Sequence, residues 1–221
     1  MRITDVVLPT RDLDATERFY RDRLEVSATR SGARLTVEIG ASRLLFEQGD
    51  YAGSQHLAIT IPTGSFADAK AWVASRAALL RDEAGADEFE TSPAWNGRSV
   101  YFDGPDGQVL ELIERRDLDK RMPAPFGPRG LLCISEVGIA VPDVPEAVER
   151  LRGRGVPPYG NPPGTAFAAV GDIHGLLILV AAGRAWMPTT DRRAQSAPIT
   201  VRAEGVRRTP LAPDAALEPA S

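Results

Sequence analysis

Three side chains of the kind that bind metal ions lie in three separate apolar segments. Asp5 lies in ITDVVLPT, His56 in QHLAITIP and Glu111 in VLELIE. A carboxylate between leucines needs a cation, a hydrogen-bond donor or water, because burying an unpaired charge is costly. Two carboxylates and one imidazole suit a divalent first-row metal. We therefore take Asp5, His56 and Glu111 as candidate metal ligands.

Each candidate ligand also has a simpler interpretation that the sequence leaves open. His56 could be a hydrogen-bonded core histidine, Glu111 could form an ion pair with an arginine such as Arg98, and Asp5 could be solvated. The expectation for each residue therefore depends on which face of its strand it occupies.

Strand alternation assigns the candidate ligands to one kind of face. In HLAITI, His56, Ala58 and Thr60 alternate with large aliphatic residues, and Asp5 and Glu136 begin similar alternations in DVVLPT and EVGIAV. Because side chains alternate between the two faces of a strand, each strand has one aliphatic face and one face of smaller residues with a polar group. The aliphatic faces should pack on helices, and the other faces should line a cavity.

These strands open a unit that the chain repeats about three times. Each is followed by a helical pattern with a predicted N-cap at Asp12, Ser65 or Asp143, and then by short strand segments. This repeated pattern predicts two βαβββ modules at 1–49 and 54–115, a linker at 116–130 and a third, degenerate module at 131–204 with a possible extra strand. The Pro- and Ala-rich 205–221 segment is predicted to be a disordered tail.

The composition narrows the class of protein. A formal charge of -4 with no basic run argues against nucleic acid as a partner. The single cysteine cannot form an intrachain disulfide, which favours a reducing cytoplasm. We also expect no membrane partner, because no apolar stretch is long enough to span a bilayer and the N-terminus lacks a signal-peptide pattern.

The segments ITDVVLPTRDLDATERFYRDRLEV, QHLAITIP and VYFDGPDGQVLELIE resemble the vicinal oxygen chelate superfamily. This superfamily includes glyoxalase I, bleomycin-resistance proteins and extradiol dioxygenases. The resemblance implies an α+β fold in which paired βαβββ modules form a cup-shaped mixed sheet around a divalent metal. It covers residues 1–115 well and 131–182 more loosely.

The resemblance carries the ligand positions onto Asp5, where His or Gln is usual, and onto His56 and Glu111, which match. Leu45 takes the place of a glutamate in module one, unless a shifted register brings Glu47 to the site. In module three Glu136 is kept, but Leu179 takes the last-strand ligand position, so this module is expected to be catalytically empty.

Two functions from different classes follow from the resemblance. One is a metal-dependent enzyme, either dioxygenase-like or isomerase- or lyase-like, that uses Fe, Mn, Zn or Ni and a substrate with neighbouring oxygens. The other is a metal-free small-molecule binding protein of the drug-sequestering kind. In both, Phe46, Trp95, Asn96 and Tyr101 are the expected pocket residues. Module three could pair across a homodimer, which we expect, or complete the cup within one chain.

Overall fold

The computed structural model describes residues 1–51, 53–118 and 125–220. In these ranges the chain forms three α-helices, α1 (Leu13–Arg18), α2 (Phe66–Ala74) and α3 (Val144–Arg152). The same ranges form fourteen strands: β1 (Ile3–Thr10), β2 (Ala28–Ser31), β3 (Arg34–Ile39), β4 (Ser42–Gln48), β5 (His56–Ile61), β6 (Phe89–Glu90), β7 (Gly97–Asp103), β8 (Val109–Arg115), β9 (Cys133–Val141), β10 (Phe167–Asp172), β11 (Gly175–Ala181), β12 (Ile199–Ala203), β13 (Thr209–Ala212) and β14 (Ala215–Pro219).

The strands form two seven-stranded mixed sheets. The first sheet has the order β13-β14-β12-β1-β4-β3-β2, and the second has the order β10-β11-β9-β5-β8-β7-β6. In each sheet a group of four strands meets a group of three, with β1 against β12 in the first sheet and β5 against β9 in the second, both antiparallel. The expected α+β fold of paired modules with cup-shaped sheets is confirmed.

The pairing of modules differs from the expectation that modules one and two share a cup. Module two (56–115) pairs with module three (133–181), and module one (3–48) pairs with residues 199–219. Residues 199–219 contribute β12, β13 and β14 without a helix, as a fourth and reduced module. Module three therefore completes the cup of module two within one chain.

The C-terminal segment is ordered, contrary to the disordered tail expected at 205–221. Residues Thr209–Ala212 and Ala215–Pro219 form strands, and Leu211 and Leu217 are buried. The segment is rich in Pro and Ala, but its two leucines alternate with smaller residues and cover one end of the core. Two apolar side chains on a strand that finds a partner are enough to order a segment that composition alone predicts to be disordered.

The aliphatic faces of both sheets share one continuous core. Leu57 and Ile59 of β5 and Val137 and Ile139 of β9 belong to it, together with Val6 of β1. Tyr101, Val109, Ala140 and Ile178 form a separate cluster on the opposite face of the second sheet. The predicted division of each strand into an aliphatic face and a cup face is confirmed.

The helix starts agree largely with the predicted caps. The Asp12 carboxylate accepts from the Ala15 amide at 2.9 Å, and that of Asp143 accepts from the Glu146 amide at 2.8 Å. Ser65 occupies the N-cap of α2 but donates to the Pro62 carbonyl instead. Part of the predicted linker, 119–124, lies outside the described residues. Among those described, no helix is both long and apolar enough to cross a bilayer.

Candidate metal and ligand site

His56 begins β5, and its ring orientation is set by a backbone contact. The imidazole Nδ1 lies 3.1 Å from the Val109 carbonyl oxygen. Because a carbonyl can only accept, the neutral ring carries its proton on Nδ1 and leaves a lone pair on Nε2. Burial lowers the pKa of His56 to about 4, against the opposing effect of the Val109 hydrogen bond. His56 is therefore neutral at physiological pH, in the state that binds metals.

Glu111 lies on β8 beside His56, and each of its two carboxylate oxygens contacts a different neighbour. Its Oε1 accepts from the Ser99 hydroxyl at 2.5 Å, and its Oε2 lies 3.6 Å from His56 Nε2. Burial and the nearby Glu136 raise the pKa of Glu111 to about 8, against the Ser99 hydrogen bond and the Arg115 charge, which lower it. Without a cation, the carboxyl is thus largely protonated at pH 7 and can share its proton with Nε2.

Glu136 comes from β9 on the other side of β5. Both glutamates pair with Ala58, Glu111 from β8 and Glu136 from β9, so the small Ala58 side chain lies between them. The Arg115 Nη2 donates to Glu136 Oε1, and both side chains are buried. Burial raises the pKa of Glu136 in spite of this arginine. Arg115 is fully buried, and its Nε and Nη1 have no hydrogen-bond partner among the described residues.

The three side chains meet at the base of a cleft of about 210 Å³. One ligand atom each from His56, Glu111 and Glu136 lies within 4.8 Å of the other two. Trp186, from the segment after β11, packs its ring 5.2 Å from the His56 ring and donates from Nε1 to the Ser54 carbonyl at 2.8 Å. This packing needs a glycine at position 138, because a Cβ there would lie 2.5 Å from the Trp186 ring.

The structure brings His56 and Glu111 together but leaves Asp5 elsewhere. Asp5 lies in the first sheet, where it is buried and forms an ion pair with Arg43 at 2.5 Å. The different module pairing explains this, because β1 adjoins β4 and β12 rather than β5. Glu47, the alternative in module one, pairs with Arg34 on the same sheet. Module three, which was expected to be catalytically empty, supplies Glu136 as the third side chain of the cluster.

Of the four expected pocket residues, Trp95 and Tyr101 line the cleft. Phe46 is wholly buried in the first sheet, where its ring lies 5.4 Å from that of Tyr20. Asn96 is a turn residue with φ of 44° whose side chain donates to Asp117. The positions of Phe46 and Asn96 therefore differ from the expectation.

Sequence reasoning missed the roles of Glu136, Arg115 and Trp186. The signal for Glu136 was present, because it begins the same alternation in EVGIAV that His56 begins in HLAITI. The signal for Arg115 was weaker. Arg115 lies four residues after Glu111 on the same strand, and because side chains alternate with a period of two, both face the cup. Trp186 lies in an irregular segment, and no local pattern indicates that it folds back onto His56.

Two pairs of modules, each forming a seven-stranded mixed sheet, define the fold. The chain has the fold of the vicinal oxygen chelate superfamily. A Bacillus subtilis subsp. subtilis str. 168 protein named "putative dioxygenase" superposes with a TM-score of 0.62 at 14% identity, over 92% of this chain and 70% of that chain. This likeness shows the fold alone.

Smaller solved structures match about half of the chain. A glyoxalase/bleomycin resistance protein/dioxygenase from Nocardioides gives a TM-score of 0.43 at 20% identity, over 57% of this chain and 90% of that chain. A lactoylglutathione lyase from Agrobacterium tumefaciens gives 0.41 at 21% identity, over 51% and 92%. No family model matches the sequence, and no curated protein matches it significantly.

Proposed function

We propose that the cleft of the second sheet binds a divalent metal ion and, beside it, a small molecule with neighbouring oxygens. His56 Nε2 and one oxygen each of Glu111 and Glu136 would be the ligands. The observation that carries this proposal is that these atoms lie within 4.8 Å of one another at the buried base of a cleft.

The chemistry of the donors supports a resident metal. Nε2 of His56 presents a lone pair, and the Glu111 Oε2 faces it at 3.6 Å. Once a metal ion displaces the proton of Glu111, two carboxylates and Arg115 would leave one net negative charge around a neutral histidine, and a divalent cation would compensate it. An N,O,O donor set accommodates Fe, Mn, Zn or Ni. The ligand set differs from the one predicted by sequence in that Glu136 takes the place of Asp5.

A bound metal would supply Lewis acidity to the oxygens of the substrate. The protein side chains around it have separate tasks. The Val109 carbonyl holds the His56 ring in place, and Trp186 covers that ring and excludes water. Burial and the adjacent Glu111 raise the pKa of Tyr101 well above its ordinary value, so its hydroxyl stays protonated and can donate to a substrate oxygen. The reaction would be either oxygen-dependent, dioxygenase-like cleavage or isomerisation or lysis without redox change.

Metal content is the decisive measurement. Protein purified without chelator should contain near-stoichiometric Fe, Mn, Zn or Ni by plasma mass spectrometry, and His56→Ala, Glu111→Ala and Glu136→Ala should lose it. Asp5→Asn is the matched control, because Asp5 is a buried carboxylate on the corresponding strand of the first sheet and should leave the metal in place. Equal metal content in all four variants, or none in wild type after anaerobic reconstitution, would refute the metal site.

The second candidate function is metal-free binding of a small molecule. The contact between Arg115 and Glu136 favours it, because this ion pair and a protonated Glu111 satisfy the cluster without a metal. In that case the apoprotein would bind its ligand with unchanged affinity in the presence of a strong chelator, and reconstitution would add no metal.

The homodimer and the cytoplasmic setting are separate proposals. Because β9 pairs with β5 within one chain, a dimer would need another surface than the module pairing from which we predicted it. Light scattering coupled to size exclusion tests it, and a monomer mass at micromolar concentration would refute it. The single cysteine continues to support a reducing cytoplasm.

A further inference from the structure

The walls of the cleft are mainly aromatic and come from separate parts of the chain. Trp95 precedes β7, Phe167 begins β10 and Trp186 follows β11. The indole N–H of Trp186 is already bonded to the Ser54 carbonyl. The ring faces of these side chains suit a flat, apolar ligand body.

The volume limits the size of that body. A cavity of roughly 150 Å³ accommodates benzene, so a cleft of about 210 Å³ accommodates one substituted ring. A second ring would have to extend into solvent.

Arg184 is the cationic side chain among the described residues that line the cleft, and it lies at the exposed end. Its guanidinium carbon lies 5.1 Å from the centre of the Phe167 ring. Within the described part of the chain, the guanidinium makes one hydrogen bond, a weak one of 3.4 Å to the Ala185 carbonyl, and no ion pair. This contact places the guanidinium beside the Phe167 ring, and within the described residues its other N–H groups make no further hydrogen bond.

The neighbouring arginines of the same segment are used differently. Arg192 pairs with Asp103 at 2.8 Å, and Arg193 donates to the Gly183 carbonyl at 2.9 Å, outside the cleft lining. Arg192 thus ties the segment to β7 and Arg193 ties the segment to itself, whereas Arg184 lines the cleft.

We propose that Arg184 is an anion-binding residue of this cleft and that the ligand is a single-ring aromatic carboxylate. The carboxylate would bind the guanidinium at the mouth, the ring would lie among Trp95, Phe167 and Trp186, and the far end would reach the His56–Glu111–Glu136 cluster. A guanidinium binds a carboxylate in a planar, bidentate manner, and Arg184 has N–H groups that no ion pair within the described residues occupies. The placement of the far end rests on the proposed function; the anion subsite itself does not.

Benzoate and its neutral analogue benzamide test the anion subsite by titration calorimetry. Wild-type protein should bind benzoate about tenfold more tightly than benzamide, the lower end of the range for a charge-assisted contact at an exposed position. Arg184→Gln should bind both equally, and Arg184→Lys should keep part of the preference. Arg193→Gln removes the same charge from the same segment and should behave as wild type. Thermal unfolding of the variants verifies that each is folded.

Titration in the presence and absence of a strong chelator separates this proposal from the metal site. Preference for benzoate that depends on Arg184 and survives chelation supports the anion subsite even if the protein holds no metal. Benzoate binding that is lost on chelation but unchanged in Arg184→Gln would place the carboxylate on the metal and overturn the subsite. Absence of benzoate binding to wild type, or equal binding of benzoate and benzamide, would overturn it as well.

Discussion

The two sheets have the same arrangement of central strands but carry different side chains at corresponding positions. In the second sheet Ala58 pairs with Glu111 on one side and with Glu136 on the other. In the first sheet Val7 pairs with Leu45 on one side and with Thr200 on the other. Two residues before these central positions lie His56 and Asp5. The second sheet thus gathers three ligand-type side chains where the first has one carboxylate.

The partners of the carboxylates show what this difference means. Asp5 pairs with Arg43, whose side chain is 52% exposed, whereas Glu136 pairs with Arg115, which is fully buried. Val7, Leu45 and Thr200 are half-buried, so the corresponding face of the first sheet is wetter. The same arrangement of strands therefore supports an ion pair with a half-exposed arginine in one sheet and a wholly buried polar cluster in the other. The candidate site thus differs from the corresponding positions of the first sheet in the burial of its side chains more than in its fold.

Removing the arginine partner of the buried carboxylate should give the largest difference in stability cost between the two sheets. Arg115→Met leaves Glu136 buried without a cation and should lower the free energy of unfolding by about 3–5 kcal/mol. Arg43→Met should cost about 1 kcal/mol or less, because Arg43 is half-exposed and the Thr4 hydroxyl still donates to Asp5. Urea unfolding of both variants measures the difference, and equal costs would contradict it.

The fourth module should be as necessary to the first sheet as module three is to the second. Leu217→Ala removes a wholly buried side chain from β14 and should cost about 2–5 kcal/mol. Arg207→Ala, an exposed change in the same C-terminal segment, should cost less than about 0.5 kcal/mol. If both variants unfold like wild type in urea, the segment does not form part of the core.

The contact between Trp186 and Gly138 exists only in the second sheet, where it covers the site. Gly138→Ala forces a Cβ into the Trp186 ring and should cost about 1–3 kcal/mol. A double-mutant cycle with Trp186→Ala checks the cause, since the alanine at 138 should cost much less once the ring is gone. Additive costs would show that the strain arises elsewhere, for instance against His56.

The pH dependence of the metal-free protein should show the smallest effect. The pKa of Glu111 rises from about 4.5 unfolded to about 8 folded, so the native state holds an extra proton between these values. Stability from this group is present at low pH and is lost as the pH rises towards 8, by at most about 1.4 kcal/mol per unit. Unfolding of chelated protein from pH 7 to 9 measures the last part of this loss, about 1.4 kcal/mol in total, and the stability should level off above pH 8.

Glu111→Gln supplies the control for that slope. The amide has the shape of the carboxyl group but no proton to lose, so the variant should show a flatter stability profile over the same range. The same slope in both proteins would mean that Glu111 does not titrate in this window.

Much of the local structure could be predicted from the sequence. The caps at Asp12 and Asp143, the repeated strand–helix openings and the face on which His56, Glu111 and Glu136 lie all follow from short-range patterns. The prediction of a disordered tail was the main local error. The Pro- and Ala-rich composition predicted disorder, and the pattern of Leu211 and Leu217 among smaller residues was too short to predict strands before their partner strand is known.

The direction of each side chain is determined within a few residues, because the strand pleat alone sends alternate residues to opposite faces. The sequence by itself therefore placed His56, Glu111, Glu136 and Asp5 on the cup faces of their strands. The choice of which strands meet is a long-range matter. It depends on how the aliphatic faces of four modules share one core and which strand edges pair, and no local pattern specifies this. Only the tertiary structure, by pairing β5 with β9 and β1 with β12, brought Glu136 to His56 and Glu111 and placed Asp5 beside Arg43.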